Sequence, residues 1–470
     1  MSLTSSTSEV IGKLRLLFKT LSASGVTHLQ FATELTYLLF LKMSAETELE
    51  RDLPEGYRWQ ELLVRDGLAQ LDFYRSLLLH LSVEVKSGKT AAIYQNANSL
   101  FRLPKNLKQL IDCVDSLDWY DARRDGLNEY FEHLLEEAAR EGKSAAGNYY
   151  TPRALIDSMV SLVAPRAGEL VQDPAAGTGG FLIAADRFIK TNTDDLFDLP
   201  EELQTFQRTR AFAGFEWVPE PHRLALMNLL LHDIDIELVR GNTLGPMGAN
   251  LPQADLILCN PPYGSTENQV SRDDFTFPPP SKQFAFLQHI YRGLKPGGRA
   301  AVVVPDNVLF EGNVGLKIRV DLMDKCNLDT ILRLPTGIFQ SQGVKTNVLF
   351  FTRGETEEHN TKAVWVYDLR TNTQKFGKRT PLLREHFKEF EDCYKAKDRV
   401  DAGEGGRFRC FTRSQIHQRD ENLDITWLRD ANAEHAADLP DPDDIADEIL
   451  DHLHFATAEI EALKGLLNGV

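Results

Sequence analysis

Nothing in this sequence pairs its cysteines. The five, at 113, 259, 326, 393 and 410, are scattered with no CxxC spacing. That excludes a cysteine-pair zinc site and argues against a disulfide frame. The histidines fall in no metal-ligand spacing either, so no metal is expected. No apolar run reaches about 18 residues, and no membrane span is expected. The start, Met1-Ser-Leu-Thr-Ser-Ser6, lacks the basic-then-apolar layout of a secretory signal. A reducing cytoplasm is the expected setting. Positive charge is also scarce: the net charge is −17. Eleven acids and no Lys or Arg lie between Asp430 and Glu461, which leaves −6 for the rest of the chain. Phosphate neutralisation dominates nucleic-acid affinity, so the chain is not expected to bind duplex DNA unaided, although a local basic groove stays open.

What is present fits a soluble globular protein of two to four domains: 470 residues, 42% hydrophobic and 26% charged. Residues 1–145 read as helical. Phe31, Leu35, Leu38, Leu39 and Met43 recur at helical spacing, as do Leu77, Leu78 and Leu81, and then Tyr130, Leu134 and Leu135 with Glu129, Glu132, Glu136 and Glu137 on the other faces. These stripes predict core and no chemistry, and Arg123-Arg124 reads as a solvated pair. From about 150 to 370, strand and helix patterns alternate, which predicts an α/β parallel sheet with a late antiparallel addition.

Chemistry concentrates in a few stretches. Gly147-Asn-Tyr-Tyr-Thr-Pro-Arg153 opens a helix, with Thr151 as N-cap and Pro152 at the first position. Its free amides could seat a carboxylate, walled by Tyr149 and Tyr150, or it is an ordinary helix start. A strand at Glu169–Gln172 runs into Asp173-Pro-Ala-Ala-Gly-Thr-Gly-Gly180 and a helix. Nucleoside cofactors sit at such a turn, and glycines let backbone approach them. No Lys-Ser/Thr follows, which excludes a phosphate P-loop. After a polar connecting insertion at 191–210, a second strand, Ala211–Phe215, ends in Glu216, placed to grip ribose hydroxyls. A third, Ile236–Val239, precedes Asn242, which could reach an adenine edge or the cofactor sugar. The fourth, Leu256–Cys259, stops at Asn260-Pro-Pro-Tyr263. Two prolines cannot continue a ladder. The turn offers acceptors, the Asn260 side chain and the Pro261 carbonyl, with Tyr263 as a flat face. An exocyclic amine on a planar ring needs that set.

Lys295-Pro-Gly-Gly298 reads as a turn before a fifth strand, Ala300–Val304, with later strands at Asp329–Leu334, Asn347–Phe351 and Ala363–Tyr367. Residues 371–440 form a polar extension in which Lys375, Lys378, Arg379 and Arg384 are either a solvated face or phosphate contacts. The tail, 441–470, carries Ile449, Leu453, Ala456, Ile460, Leu463 and Leu467 in a short heptad seam, for packing on this chain or on a partner helix.

The ordered set Asn-Tyr-Tyr-Thr-Pro-Arg, Asp-Pro-Ala-Ala-Gly-Thr-Gly-Gly-Phe, Gly-Phe-Glu, Gly-Asn-Thr-Leu and Asn-Pro-Pro-Tyr resembles the N6-adenine DNA methyltransferases, and most of all the modification subunit of type I restriction–modification systems. Leu38–Met43, Phe339–Phe351 and Asn422–Asp424 support the likeness. The resemblance implies a doubly wound, Rossmann-like S-adenosylmethionine-dependent methyltransferase sheet at 146–370, with a helical N-terminal domain and a C-terminal helical tail. It implies S-adenosylmethionine as methyl donor, contacted by Asn148, Tyr149, Tyr150, Thr151, Pro152, Arg153, Thr178, Gly179, Gly180 and Glu216, and Asp173 and Asn242 are further candidates for the donor site. Asn260, Pro261, Pro262 and Tyr263 would hold a flipped adenine. The implied partners are double-stranded DNA, a specificity subunit and, in some assemblies, a restriction subunit, with two copies of this chain per complex. The 191–210 insertion and a somewhat short C-terminal end depart from the pattern. A methyltransferase acting on protein glutamine or RNA, and a catalytically inactive cofactor- or DNA-binding module, are the alternatives. The long C-terminal region counts against the first; the intact glycine turn, Glu216 and Asn260 count against the second.

Overall fold

Local signals start the helices where they begin. The computed structural model describes residues 6–85, 87–141, 150–266, 270–339, 344–374, 376–377 and 380–429. Among these, eight α-helices lie within residues 1–145: α1 (Thr7–Ser22), α2 (His28–Glu46), α3 (Trp59–Leu63), α4 (Gly67–Glu84), α5 (Gly88–Tyr94), α6 (Pro104–Asp115), α7 (Trp119–Arg124) and α8 (Leu127–Arg140). Ser6 caps α1 by accepting from Glu9 N, and Thr27 with Gln30 forms a capping box on α2. The α2 stripe read from sequence is buried, and so are Tyr37, Phe40 and Leu41 beside it. A buried run longer than one turn means that α2 is covered on all sides. Glu34 lies inside it, accepting from Leu100 N at 2.8 Å and Ser99 Oγ at 3.0 Å. Burial pushes its carboxyl up to about 7, against those hydrogen bonds.

The strands follow: β1 (Val171–Asp173), β2 (Phe212–Glu216), β3 (Val239–Arg240), β4 (Ala254–Cys259), β5 (Leu294–Pro305), β6 (Cys326–Arg333), β7 (Thr346–Arg353), β8 (Ala363–Asp368) and β9 (Phe408–Thr412). They make one sheet in the order β3-β2-β1-β4-β5-β7-β6-β8-β9. The first five in that order run parallel. β7 is antiparallel to both β5 and β6, β8 is parallel to β6, and β9 is antiparallel to β8. The expected parallel sheet with a late antiparallel addition is present. The winding reverses between β1 and β4, so their C-terminal ends form the crevice where this architecture binds ligands. The helices of this part are α9 (Arg153–Val163), α10 (Gly180–Thr191), α11 (Glu201–Thr209), α12 (Pro219–Leu231), α13 (Lys282–Gly293), α14 (Asn307–Phe310), α15 (Val314–Lys325), α16 (Lys388–Lys395) and α17 (Arg413–His417).

One apolar cluster runs from Val10 to Phe408 and includes both the early helices and the sheet. Its joint is α12, buried along most of its length and packed on α2 and α5. Arg223, on α12, donates to the carbonyls of Ile93 and Gln95 at the end of α5 and lies 5.1 Å from the centre of the Tyr37 ring. The chain divides into two units, Met1–Thr426 and Trp427–Val470. Everything described below belongs to the first.

Several readings change. The insertion at 191–210 carries α11, begun at Pro200 with Glu201 and Glu202 in its first turn, where acids favour the helix dipole. The third strand is shorter and later than Ile236–Val239. The Lys295–Gly298 turn lies inside β5 as a bulge, since Ala254 pairs with Leu294 but Leu256 with Arg299. A Cβ on Gly298 would stand 2.8 Å from Lys295 O and 2.9 Å from Ala254 O, so only glycine fits. The polar extension contributes β9. Arg123 is not merely solvated: it donates to Asp233 at 2.9 Å and to Leu230 O. Arg384 pairs with Glu391 at 2.7 and 2.8 Å. Lys375, Lys378, Arg379 and the heptad seam lie outside the described residues.

Candidate active site

The glycine turn after β1 is held from three sides. Gly177 and Gly179 take left-handed conformations, φ 55° and 84°, which glycine adopts without strain. Ala176 N donates to Phe215 O at 2.9 Å, Asn228 Nδ2 to Thr178 O at 3.0 Å, and Gly177 N to Glu216 Oε2 at 2.9 Å. Glu216 Oε1 accepts from Val218 N at 2.7 Å. The acid expected to grip a ligand therefore also ties the turn to β2. Burial raises its carboxyl, opposed by the backbone amides.

Asp173 is buried at the head of the turn and accepts from Ala175 N at 3.1 Å. Burial pushes it up to about 7, opposed by that amide and by the Cys259 thiol, with Glu216 raising it further. Burial and Asp173 together push the Cys259 thiol well above its ordinary range, so it stays protonated.

β4 delivers Asn260 to the same crevice. Its Nδ2 donates to Thr151 Oγ1 at 3.0 Å, and its Oδ1 accepts from the Tyr263 hydroxyl at 3.1 Å. Burial keeps that hydroxyl protonated. The turn is closed on α13: Lys282 N donates to Gly264 O at 2.9 Å, and Gly264 N to Gln283 Oε1 at 3.1 Å. Gln283 in turn donates to Asn307 Oδ1 at 3.3 Å. Thr151 is not the N-cap that its position suggested. Pro152 occupies the cap without a side-chain bond, and the Thr151 hydroxyl is used on Asn260 instead.

A cleft of about 320 Å3 gathers Tyr150, Thr151, Asp173, Thr178, Gly180 and Asn260, walled by Ile156, Ala175, Ala176 and Phe181. Three stretches separated by tens of residues thus meet at one place. A second, apolar cleft of about 350 Å3 adjoins it, where Tyr150 and Thr178 face Leu29 and Leu135 from the early helices. Pro152, Arg153, Gly179, Glu216, Asn242, Pro261, Pro262 and Tyr263 do not line the first cleft. Arg153 pairs with Glu132 of α8 at 3.1 Å, and Asn242 Oδ1 accepts from Leu244 N at 2.9 Å. Asn148 and Tyr149 lie outside the described residues. Sequence reasoning passed over Cys259, Gln283 and the half-exposed Trp217 beside Glu216. Only Trp217 carried a signal, as a large aromatic directly after the acid at a strand end. Among the described residues no helix is long and apolar enough to cross a membrane.

A family model for N-6 DNA methylases matches residues 122–436. The StySPI type I restriction enzyme methylase subunit of Salmonella potsdam is 47% identical over 97% of this chain and 94% of its own length. The EcoKI methylase subunit of Escherichia coli K12 is 46% identical over the same shares. The crystal structure of the EcoKI M protein covers 98% of this chain and 96% of its own, with 42% identity and a TM-score of 0.58. A solved chain of a type I R-M system, 28% identical over 94% of each chain, superposes with a TM-score of 0.75. With a nine-stranded methyltransferase-like sheet, the motifs at its switch point and identity along nearly its whole length, the chain belongs to the N-6 DNA methylase family, among the methylase subunits of type I restriction enzymes.

Proposed function

We propose that this chain transfers a methyl group from S-adenosylmethionine to N6 of an adenine flipped out of double-stranded DNA, as the modification subunit of a type I complex. The observation that supports it is the cleft where the glycine turn, Asp173 and Thr151 stand beside Asn260. The donor fits the residues present. The turn is backbone-rich with two left-handed glycines, and Glu216 keeps acceptor capacity beyond its two backbone bonds. Tyr150 to Arg153 (Thr151 through its backbone, since its hydroxyl is used on Asn260), Thr178 to Gly180, Glu216 and Asn242 would hold the donor, together with Asn148 and Tyr149, and Trp217 would add an aromatic wall. When bound, S-adenosylmethionine supplies a sulfonium-activated methyl.

The chain's own residues do the rest. Adenine N6 inside a duplex is out of reach, so the base is extruded at a cost of a few kcal/mol. The Tyr263 ring would stack on it and offset part of that cost. Asn260 Oδ1 and the Pro261 carbonyl would accept the two N6 hydrogens and aim the nitrogen lone pair at the donor. An amide oxygen has two lone pairs, so Tyr263 leaves one available. Pro262 keeps the turn rigid. Positioning supplies much of the rate, and no strong base is required. The division into 1–145, 146–370, 371–440 and 441–470 is the domain scheme we propose, with a specificity subunit for DNA readout, a restriction subunit in some assemblies, two copies of this chain per complex and a cytoplasmic setting.

The test is tritiated methyl transfer into DNA, with and without a specificity subunit. The expected product is N6-methyladenine, and Asn260→Ala is expected to abolish transfer while cofactor binding persists. Methylcytosine as product, or normal transfer by the Asn260 variant, defeats the proposal.

A further inference from the structure

We infer that Thr151 is a positioning residue for Asn260, so that the helix start beside the donor and the residue that captures the base act as one unit. This rests on the methyl-transfer reading above and deepens it.

Asn260 is the last residue before two prolines, and its carboxamide turns about two single bonds. In the structure it is held at both ends, by Thr151 Oγ1 at 3.0 Å and by the Tyr263 hydroxyl at 3.1 Å. Each partner is a hydroxyl, which can donate or accept, so the pair fixes the plane of the amide. The two are not equivalent. Tyr263 lies on the same turn as Asn260 and uses one lone pair of the acceptor that a target amine needs, leaving the other. Thr151 comes from 109 residues away in sequence and holds the other end. It is 7% exposed. Its side chain is β-branched and therefore stiff. It precedes Pro152, which keeps its backbone extended. The Pro152 carbonyl in turn receives the first amides of α9, from Leu155 and Ile156. Thr151 is thus a rigid post mounted on a helix. With the post in place the amide is oriented before the base arrives. Without it, that ordering falls on the transfer step rather than on donor binding.

The experiment uses the full chain assembled with its specificity subunit, steady-state methyl transfer at saturating donor, and donor Kd by calorimetry. Thr151→Val, which keeps the shape and removes the hydroxyl, is expected to lower kcat about tenfold or more with donor Kd within about threefold. Thr151→Ser is expected to restore kcat to within about threefold of wild type. Thr151→Ala replaces the Val variant if that one does not fold, with donor Kd as the check. An unchanged kcat in the Val and Ala variants overturns the inference. So does a donor Kd raised about tenfold with kcat intact, which would put the hydroxyl on the donor. A wild-type complex that places no methyl on adenine defeats the methyl-transfer reading itself, a result distinct from either variant's.

Discussion

Asp173 shows what one buried carboxyl does to the whole molecule. Its folded pKa stands near 7 because burial outweighs the Ala175 amide and the Cys259 thiol. A carboxyl raised on folding contributes fully below its unfolded value, near 4, and that contribution is lost as pH rises through about 7. Asp173→Asn keeps an acceptor for Ala175 N–H and carries no charge. Its melting temperature relative to wild type is expected to be higher at pH 8 than at pH 5, as scanning calorimetry would read. Equal differences at both pH values would mean that Asp173 does not titrate in this range. Glu216 is the second residue of interest, since it serves the turn and, as we propose, the donor. Glu216→Ala is expected to weaken S-adenosylmethionine by about 1.5–3 kcal/mol, the value of a hydrogen bond to a charged group. Unchanged affinity by titration calorimetry would remove Glu216 from the donor site.

Between elements, the tightest constraint is β1 against β2. A Cβ on Gly214 would lie 2.4 Å from the carbonyl oxygen of Asp173, which is backbone and cannot yield without moving the strand. Gly214→Ala is expected to cost about 3 kcal/mol in urea denaturation, the upper range for overpacking. A loss under about 0.5 kcal/mol would show that the strands part easily. The sequence showed that a strand ends at Glu216 but not why a glycine precedes Phe215, because the clash is with a residue about 40 positions earlier. The same limit recurs elsewhere. β4 and its Asn-Pro-Pro-Tyr stop were legible because an apolar run ends in residues that cannot pair. The glycine turn was legible because strand, turn and helix are contiguous. Thr151 was misassigned because capping statistics are local, whereas its partner Asn260 arrives from another strand. β9 was missed because Phe408-Arg-Cys-Phe-Thr412 is short, breaks the apolar/polar alternation at Cys410-Phe411 and lies in a polar stretch, so it reads as solvated until β8 is known to lie beside it. Arg123 misled for a similar reason: its acceptor, Asp233, lies past α12.

At the scale of the molecule, charge and topology bear on partnership. The chain carries −17 overall, and that balance opposes duplex affinity from phosphate attraction. The isolated chain is expected to bind donor but methylate DNA poorly, with a specificity subunit restoring both affinity and turnover. Deleting residues 440–470 is expected to weaken that assembly, by analytical ultracentrifugation, more than it weakens donor binding. Efficient site-specific methylation by the chain alone would count decisively against this. The joint between α2 and α12 has a further consequence, one of time. From the end of α2 at Glu46 to the start of α12 at Pro219 the ribosome must add 173 residues. At about 5–20 residues per second, that takes on the order of 10–35 s. Throughout that interval the apolar side of the α2 segment that α12 covers in the folded chain is without that cover.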